Sequence, residues 1–503
     1  MHKKFLTNLG LILLLNLLIK PIYVFGIDKA IQNQVGTASY GIYFAVFNFS
    51  FLLTIILDFG ITNFNNKNIA QNNHLLTKHF SSLFTLKLML AAVYIIIVMI
   101  TGFIIGYDNR LMKLLLIQGF NMFLLFFINY LRSNIAGLHL FKTDGLISVL
   151  DRTIMIILGV YMLRSGILYS ENGIMYFVYA QTFAYSVAAL TAFAVILKKT
   201  HSFKLKWNFP FSLMILKKSL PFAILTLLMS FYNRIDSVMI ERMLPAGVGD
   251  VQSGIYAQGF RMLDAVNMIA FLVAGVLLPV FSRMLKHKES IEPLVKLVSR
   301  LLLTPAIVIG VGCFFYKHEL IEYLYPWDKK EDFLIYAAHV NESAQIFSLI
   351  MLSFIAVSTT YIYGTLLTAN GNMKQLNYMA ASGMMLNIIF NYVLIRKYME
   401  FGCAAFGSAI SSMTTQFLTA GAQVLIAQRI FKFKVNYRLL FTFALFATGV
   451  VIINYCSQSL HFHYFAQRYN WLINFTIMCA GCGIWAFVTG MISIKAIFRF
   501  LKF

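Results

Sequence analysis

Charge is what this chain lacks. Only 12% of its 503 residues are Asp, Glu, Lys or Arg, against roughly 25% in a soluble domain. That shortage excludes an ordinary soluble protein. Acidic residues are the scarcer sign, 19 against 41 basic ones, giving a net charge of +22. The excess is spread between apolar runs rather than gathered in a basic domain, which excludes nucleic acid as the partner and fits basic loops beside anionic lipid. Cysteine is rare: Cys313, Cys403, Cys456, Cys479 and Cys482 all fall in or beside apolar segments, so no disulfide framework is implied. Cys479-Ala480-Gly481-Cys482 has a metal-like spacing but sits among small residues in an apolar run, which favours helix packing. There is no glycine-rich phosphate loop, metal-ligand cluster or nucleophile–base constellation, so no enzyme, metal or cofactor is indicated. No loop is long enough for a catalytic domain. The largest, near Lys317–Ser343, and the pair His461 and His463 read as surface turns.

What is present is hydrophobic. Apolar residues make up 59% of the chain, including 48 Phe. A membrane-crossing helix needs about 20 such residues, and fourteen segments qualify. They include Leu6–Ile27, Tyr40–Phe59, Ile147–Leu163, Leu220–Ile240, Gly254–Phe281, Leu439–Tyr455 and Trp471–Ile494. Met1-His2-Lys3-Lys4 before Phe5–Leu18 resembles a signal peptide, but no small-residue cleavage site follows, so it reads as an uncleaved first span. Most Lys and Arg residues, Lys87 counted among them, fall on one side if the N-terminus is inside. The bias predicts a multi-pass protein with both termini cytoplasmic.

A repeat organises the spans. Val35-Gly36-Thr37-Ala38-Ser39-Tyr40-Gly41-Ile42-Tyr43 and Val248-Gly249-Asp250-Val251-Gln252-Ser253-Gly254-Ile255-Tyr256 both read V-G-x-x-x-x-G-I-Y. Their glycines suit a tight outer turn and the entry to the next helix. Six spans separate the copies, which predicts an all-α membrane protein of two parallel six-helix lobes around a central cavity, plus two C-terminal helices. The expected divisions are 1–200, a basic cytoplasmic linker 201–219, 220–430, and 431–503. Within the linker, Trp207-Asn208-Phe209-Pro210-Phe211 reads as lying along the inner surface.

Three cations stand out as membrane-embedded: Lys20, Arg234 and Arg261. A charge at the bilayer centre costs roughly 2.5–3.5 kcal/mol on insertion scales, so a chain that keeps three is using them, and their sign points to anionic cargo. At about 1.5 Å per residue all three fall at a similar depth. Polar stripes accompany them: Asn16, Lys20 and Tyr23; Ser230, Arg234, Ser237 and Glu241; Gln258, Arg261, Asp264 and Asn267. Lys20 precedes Pro21, which predicts a bend at Lys20. Structural roles compete with binding: Arg261 and Asp264, three apart, can neutralise each other, and Lys20 can snorkel to the surface.

With these residues in place, the whole chain resembles the Wzx-type polysaccharide flippases of the multidrug/oligosaccharidyl-lipid/polysaccharide exporter superfamily. The resemblance rests on the spans, the repeat, Tyr232-Asn233-Arg234-Ile235-Asp236, Gly254-Ile255-Tyr256-Ala257 with Arg261-Met262-Leu263-Asp264, and Leu367-Thr368-Ala369-Asn370-Gly371-Asn372. It implies a bacterial inner-membrane transporter, monomeric, that moves an undecaprenyl-diphosphate-linked oligosaccharide to the outer leaflet, alongside polysaccharide polymerase or assembly proteins. It implies that Lys20, Arg234 and Arg261 hold the diphosphate. Asp236 and Asp264 are then candidates for ion coupling, and Asn16, Asn233 and Gln258 for glycan contacts, with Asn387 and Asn391 as further polar groups. A drug–cation antiporter, whose cavity should be acidic, and a lipid II flippase are the competing expectations.

Overall fold

The computed structural model describes residues 15, 16, 18–62, 65, 75–138, 140–170, 172–200, 205, 207–245, 247–326, 333–433, 437–460 and 467–492. Among these the chain is helical, with no strand. A π-helical stretch, Ile22–Asp28, leads into α1 (Lys29–Val35), α2 (Thr37–Leu52) and the short α3 (Ile55–Asp58). Then come α4 (Leu75–Ile105), α5 (Asn109–Gly137), α6 (Phe141–Ser165), α7 (Gly173–Leu197), α8 (Phe209–Met243) and α9 (Val248–Lys286). The remainder are α10 (Glu292–Phe315), α11 (Lys317–Leu324), α12 (Phe333–Ala369), α13 (Met373–Met399), α14 (Ala404–Phe431), α15 (Tyr437–Gln458) and α16 (Gln467–Val488).

The polar residues at helix starts do what their chemistry favours. Asp108 accepts a hydrogen bond from the Leu111 backbone N–H at 2.8 Å and caps α5. Asn208 caps α8 through Phe211 N–H at 3.1 Å, with Pro210 in the first turn, where its missing N–H costs nothing. The stretch from Phe209 therefore begins one 35-residue helix. Lys204 and Lys206 of the expected linker, like His461, His463 and the segment 327–332, lie outside the described residues.

Ten helices among the described residues are long and apolar enough to cross a membrane, or eleven if one bent pair counts as a span. The expected fourteen is not reached by these criteria. The 28-residue α14 falls outside the ten and carries Ser408, Ser411, Thr415, Gln416 and Gln423 along its length.

Packing divides the chain into Met1–Gly254 and Ile255–Phe503, the division falling within α9. In the first unit α5 is central, touching α2, α4, α6 and α7. Its core is aromatic: Phe80 stacks on Tyr130 at 6.2 Å and Phe84 meets Phe127 edge-on at 5.3 Å. In the second unit α12 packs against α10 and α14, and α14 against α13. The pair α15–α16 closes on α10 around Phe446, Val450, Met478 and Cys482. Gly449 permits that closeness, since a Cβ there would sit 2.1 Å from Trp485 Nε1. Cys482 is fully buried in this cluster and a Cβ on Gly481 would meet Ile453 at 3.1 Å, so that side of the C-x-x-C segment is a packing surface while Cys479 is exposed.

Two expectations about the first spans need correction. The chain does not bend at Lys20. The helix runs through Lys20 and Pro21, whose φ of −62° and ψ of −39° are helical. It then widens into π-helical turns, a local re-spacing of hydrogen bonds that can accommodate the N–H proline lacks. The sharp break comes later, at Gly36, where φ is 85° and the helices on either side differ in direction by 119°. The second correction concerns the repeat. Gly36 supplies the left-handed turn in the first copy, but in the second that role falls to Gly247, also at φ 85°. Gly249 lies inside α9 and is needed for space: a Cβ there would approach the Glu241 carbonyl oxygen to 2.6 Å.

The two copies of the motif meet. A Cβ on Gly41 would lie 1.9 Å from the Asp250 carbonyl oxygen and 2.6 Å from Gly254 N, and one on Gly254 would lie 2.1 Å from the Thr37 carbonyl oxygen. Ser253 Oγ donates to Gly41 O at 3.3 Å, and Gln32 Nε2 donates to Gly254 O at 3.4 Å. Backbone therefore touches backbone where α2 and α9 begin, a contact that only glycine allows.

Candidate functional site

Lys20 stands against α6. Four residues before it, Asn16 is buried and donates to Ser148 Oγ at 2.9 Å. One helical turn further along both helices, Lys20 lies within electrostatic range of Arg152, Asp151 and Arg132. Arg152 is the residue that sequence reasoning missed. Its guanidinium sits 4.8 Å from the ring of Tyr23 and 5.8 Å from that of Tyr185, and Nη1 donates to the Tyr185 hydroxyl at 3.4 Å. Asp151 is 3.6 Å away, a loose pair between neighbours on one helix. Two aromatic faces hold the cation without neutralising it, leaving Arg152 and Lys20 as positive charges within electrostatic range of one another and of Asp151. The missed signal was an acid–base pair, Asp151-Arg152, inside the apolar run Ile147–Leu163.

Other embedded cations are committed. Arg132 makes a two-pronged pair with Asp144, at 2.8 and 3.4 Å, across the α5–α6 turn. Lys87, which the sequence placed among the cytoplasmic cations, is only 3% exposed. It pairs with Asp58, donates to Leu57 O at 3.0 Å and lies over Tyr130 at 5.6 Å. Asp58 also accepts from Thr62 at the end of the broken second span, beside Phe59 with its φ of 45°. The embedded cations thus number more than the three the sequence singled out; Lys87 and Arg152 join them, each set against groups distant in the chain.

Arg234 faces α2. Its guanidinium lies 5.3 Å from the Phe51 ring, and Ser237, three residues on, accepts from Asn48 Nδ2 at 2.7 Å. The stripe read from Ser230 to Glu241 is therefore the α2-facing side of α8. Asp236 is buried at 2% exposure, and Asn233 donates to the Met229 carbonyl at 2.8 Å. In the second unit Gln258 accepts from Ser343 Oγ at 2.6 Å, while Arg261 and Asp264 are half-buried on α9. Asn387 and Asn391 tie α13 to α14: Asn391 Nδ2 donates to Asn387 Oδ1 at 3.1 Å and Ser408 Oγ to Asn391 Oδ1 at 2.6 Å. No group of three or more metal-ligating side chains with metal-site geometry occurs among the described residues.

The site is thus a half-buried pair of cations, Lys20 and Arg152, with Arg152 set on aromatic rings in a many-helix bundle. The sequence profile of a family described as polysaccharide biosynthesis protein matches residues 5–285. The chain belongs to that family. Its fold is similar to that of solved lipid-flippase and multidrug-transporter structures. A lipid II flippase, MurJ, in an inward closed conformation aligns over 95% of this chain and 98% of its own, with a TM-score of 0.69 and 13% identity. An inward-facing multidrug resistance MATE family transporter covers 81% of this chain and 94% of its own, with a TM-score of 0.63 and 14% identity. The Vibrio cholerae MATE transporter VcmN in its bent form gives 0.52 and 15%, over 85% and 97%. No curated protein sequence matches. This family member is thus a multi-pass membrane protein with the fold of flippases and transporters.

Proposed function

We propose that this protein is a flippase that carries an undecaprenyl-diphosphate-linked oligosaccharide from the inner to the outer leaflet of the bacterial inner membrane, for cell-surface polysaccharide synthesis. The observation that carries the reading is Lys20 beside Arg152, two cations in one apolar bundle with Tyr23 and Tyr185 as supports. A diphosphate is the complementary ligand: guanidinium binds it through paired N–H donors and ammonium as a point charge. Arg234 and Arg261 are assigned to the same head group as it moves, and Asp236 and Asp264 to the coupling ion. Asn16, Asn233 and Gln258 are the amides proposed to meet sugar. A drug–cation cargo is disfavoured by positive charge at this site.

Lys20→Met and Arg152→Met test the assignment. A charge-assisted hydrogen bond to phosphate contributes about 1.5–3 kcal/mol, so each variant should export surface glycan about tenfold or more slowly while reaching the membrane in normal amount. Normal export by both, at normal abundance, would overturn the site. Loss of drug resistance with intact glycan on deleting the gene would overturn the cargo.

A further inference from the structure

At the end of the first unit where the two motif copies meet there is a cleft of about 360 Å³. Its charged lining comes from three places: Glu241 and Arg242 at the end of α8, Asp250 in the first turn of α9, and Asp108 and Arg110 at the start of α5. Tyr107 adds its ring, 4.0 Å from the Arg242 guanidinium. The elements α2 and α7 face the cleft with Ser39, Ile42, Ile174 and Met175, none of which titrates.

Three carboxylates against two guanidiniums leave one negative charge uncompensated. Asp108 is committed to capping α5. Glu241 is 9% exposed, and its Oε2 lies 2.8 Å from Arg242 Nε. That N–H does not point at it, so both atoms are buried without a hydrogen bond among the described residues. Burying that carboxylate is costly, and Asp250 adds a second negative charge to the same lining, so a proton taken up here offsets the charge that the Arg242 ion pair leaves over.

We infer that Glu241 and Asp250 form a proton-binding site, and that the bound proton holds the α8–α9 turn in its packed position against α2. Burial also pushes the Asp250 carboxyl above its ordinary value, partly offset by a backbone hydrogen bond and Arg242. A raised carboxyl favours the packed arrangement below its folded-state value and disfavours it as pH rises through that value. The mechanical link is short. The Asp250 carbonyl oxygen is the atom against which Gly41 rests, and Gly249 seats the same turn on the Glu241 backbone. Ionising the pair places like charges within that turn. On the orientation expected from the Lys and Arg distribution this end faces outward, so protons outside would favour its closure. The consequence for transport rests on the flippase reading, but the site itself does not.

The full chain in neutral-lipid nanodiscs, with its five native cysteines replaced by alanine and Ser39→Cys carrying a spin label attached at pH 7, reads the contact directly without substrate. Label mobility should rise as pH is raised through and above the ordinary carboxylate range. The response should disappear in Glu241→Gln/Asp250→Asn and persist in Asp108→Asn. A label indifferent to pH, or a response unchanged in the double variant, would overturn the proton site. Flipping assayed separately with and without a pH gradient tests the transport reading: a pH-responsive label with no flipping overturns that reading alone.

Discussion

At the scale of single residues, charge buried in apolar helices is the feature that matters, and its cost depends on partners. Lys87 and Asp58 satisfy one another in the first unit. Lys87→Met alone leaves Asp58 without its cation, and breaking a buried pair costs about 3–5 kcal/mol. Lys87→Met with Asp58→Asn should recover much of that loss, as measured by thermal unfolding in detergent. Arg152 differs because aromatic faces hold it, and cation–π contacts contribute up to about 2 kcal/mol when desolvated. Arg152→Lys should impair glycan export despite retaining the charge, because ammonium cannot lie flat between Tyr23 and Tyr185 and still present a fork to phosphate. Tyr185→Phe, which removes only the hydroxyl accepting from Arg152, should have a smaller effect in the same assay.

At the scale of elements, glycine decides which helices touch. Gly41 and Gly254 let α2 and α9 meet backbone to backbone. Gly41→Ala drives a methyl group into the Asp250 carbonyl, and overpacking of this kind costs about 1–3 kcal/mol. The variant should lower the melting temperature and disturb export. Gly26→Ala is the control: nothing lies within 4 Å of its added carbon, so both readouts should stay unchanged. The sequence made both motif copies visible and assigned them to turns and helix entries. It did not reveal that Gly36 and Gly249 do different work, because spacing in a repeat records ancestry whereas φ and clearance depend on neighbours. The misplaced bend has a similar cause. Pro21 forbids one hydrogen bond, and the chain answered with π-helical turns rather than a kink at Lys20.

At the scale of the molecule, composition fixed the class: so little charge and so much apolar length leave a helical membrane protein as the outcome. Deleting the gene should remove surface polysaccharide without altering drug sensitivity, scored by glycan staining and inhibitory concentrations. Of the candidate site, the sequence by itself singled out Lys20, Arg234 and Arg261, because a cation in an apolar run is conspicuous in one dimension. It determined the repeat for the same reason. Tertiary structure alone decided which cations are spoken for. Lys87 finds Asp58 from 29 positions away, Arg132 finds Asp144 across a turn, and Arg152 comes to rest between Tyr23 and Tyr185 beside Lys20. Hydropathy depends on each residue alone and survives in a string of letters. Whether a buried charge is neutralised depends on contacts a few ångströms long between residues far apart in the chain, and those exist only once the helices have packed.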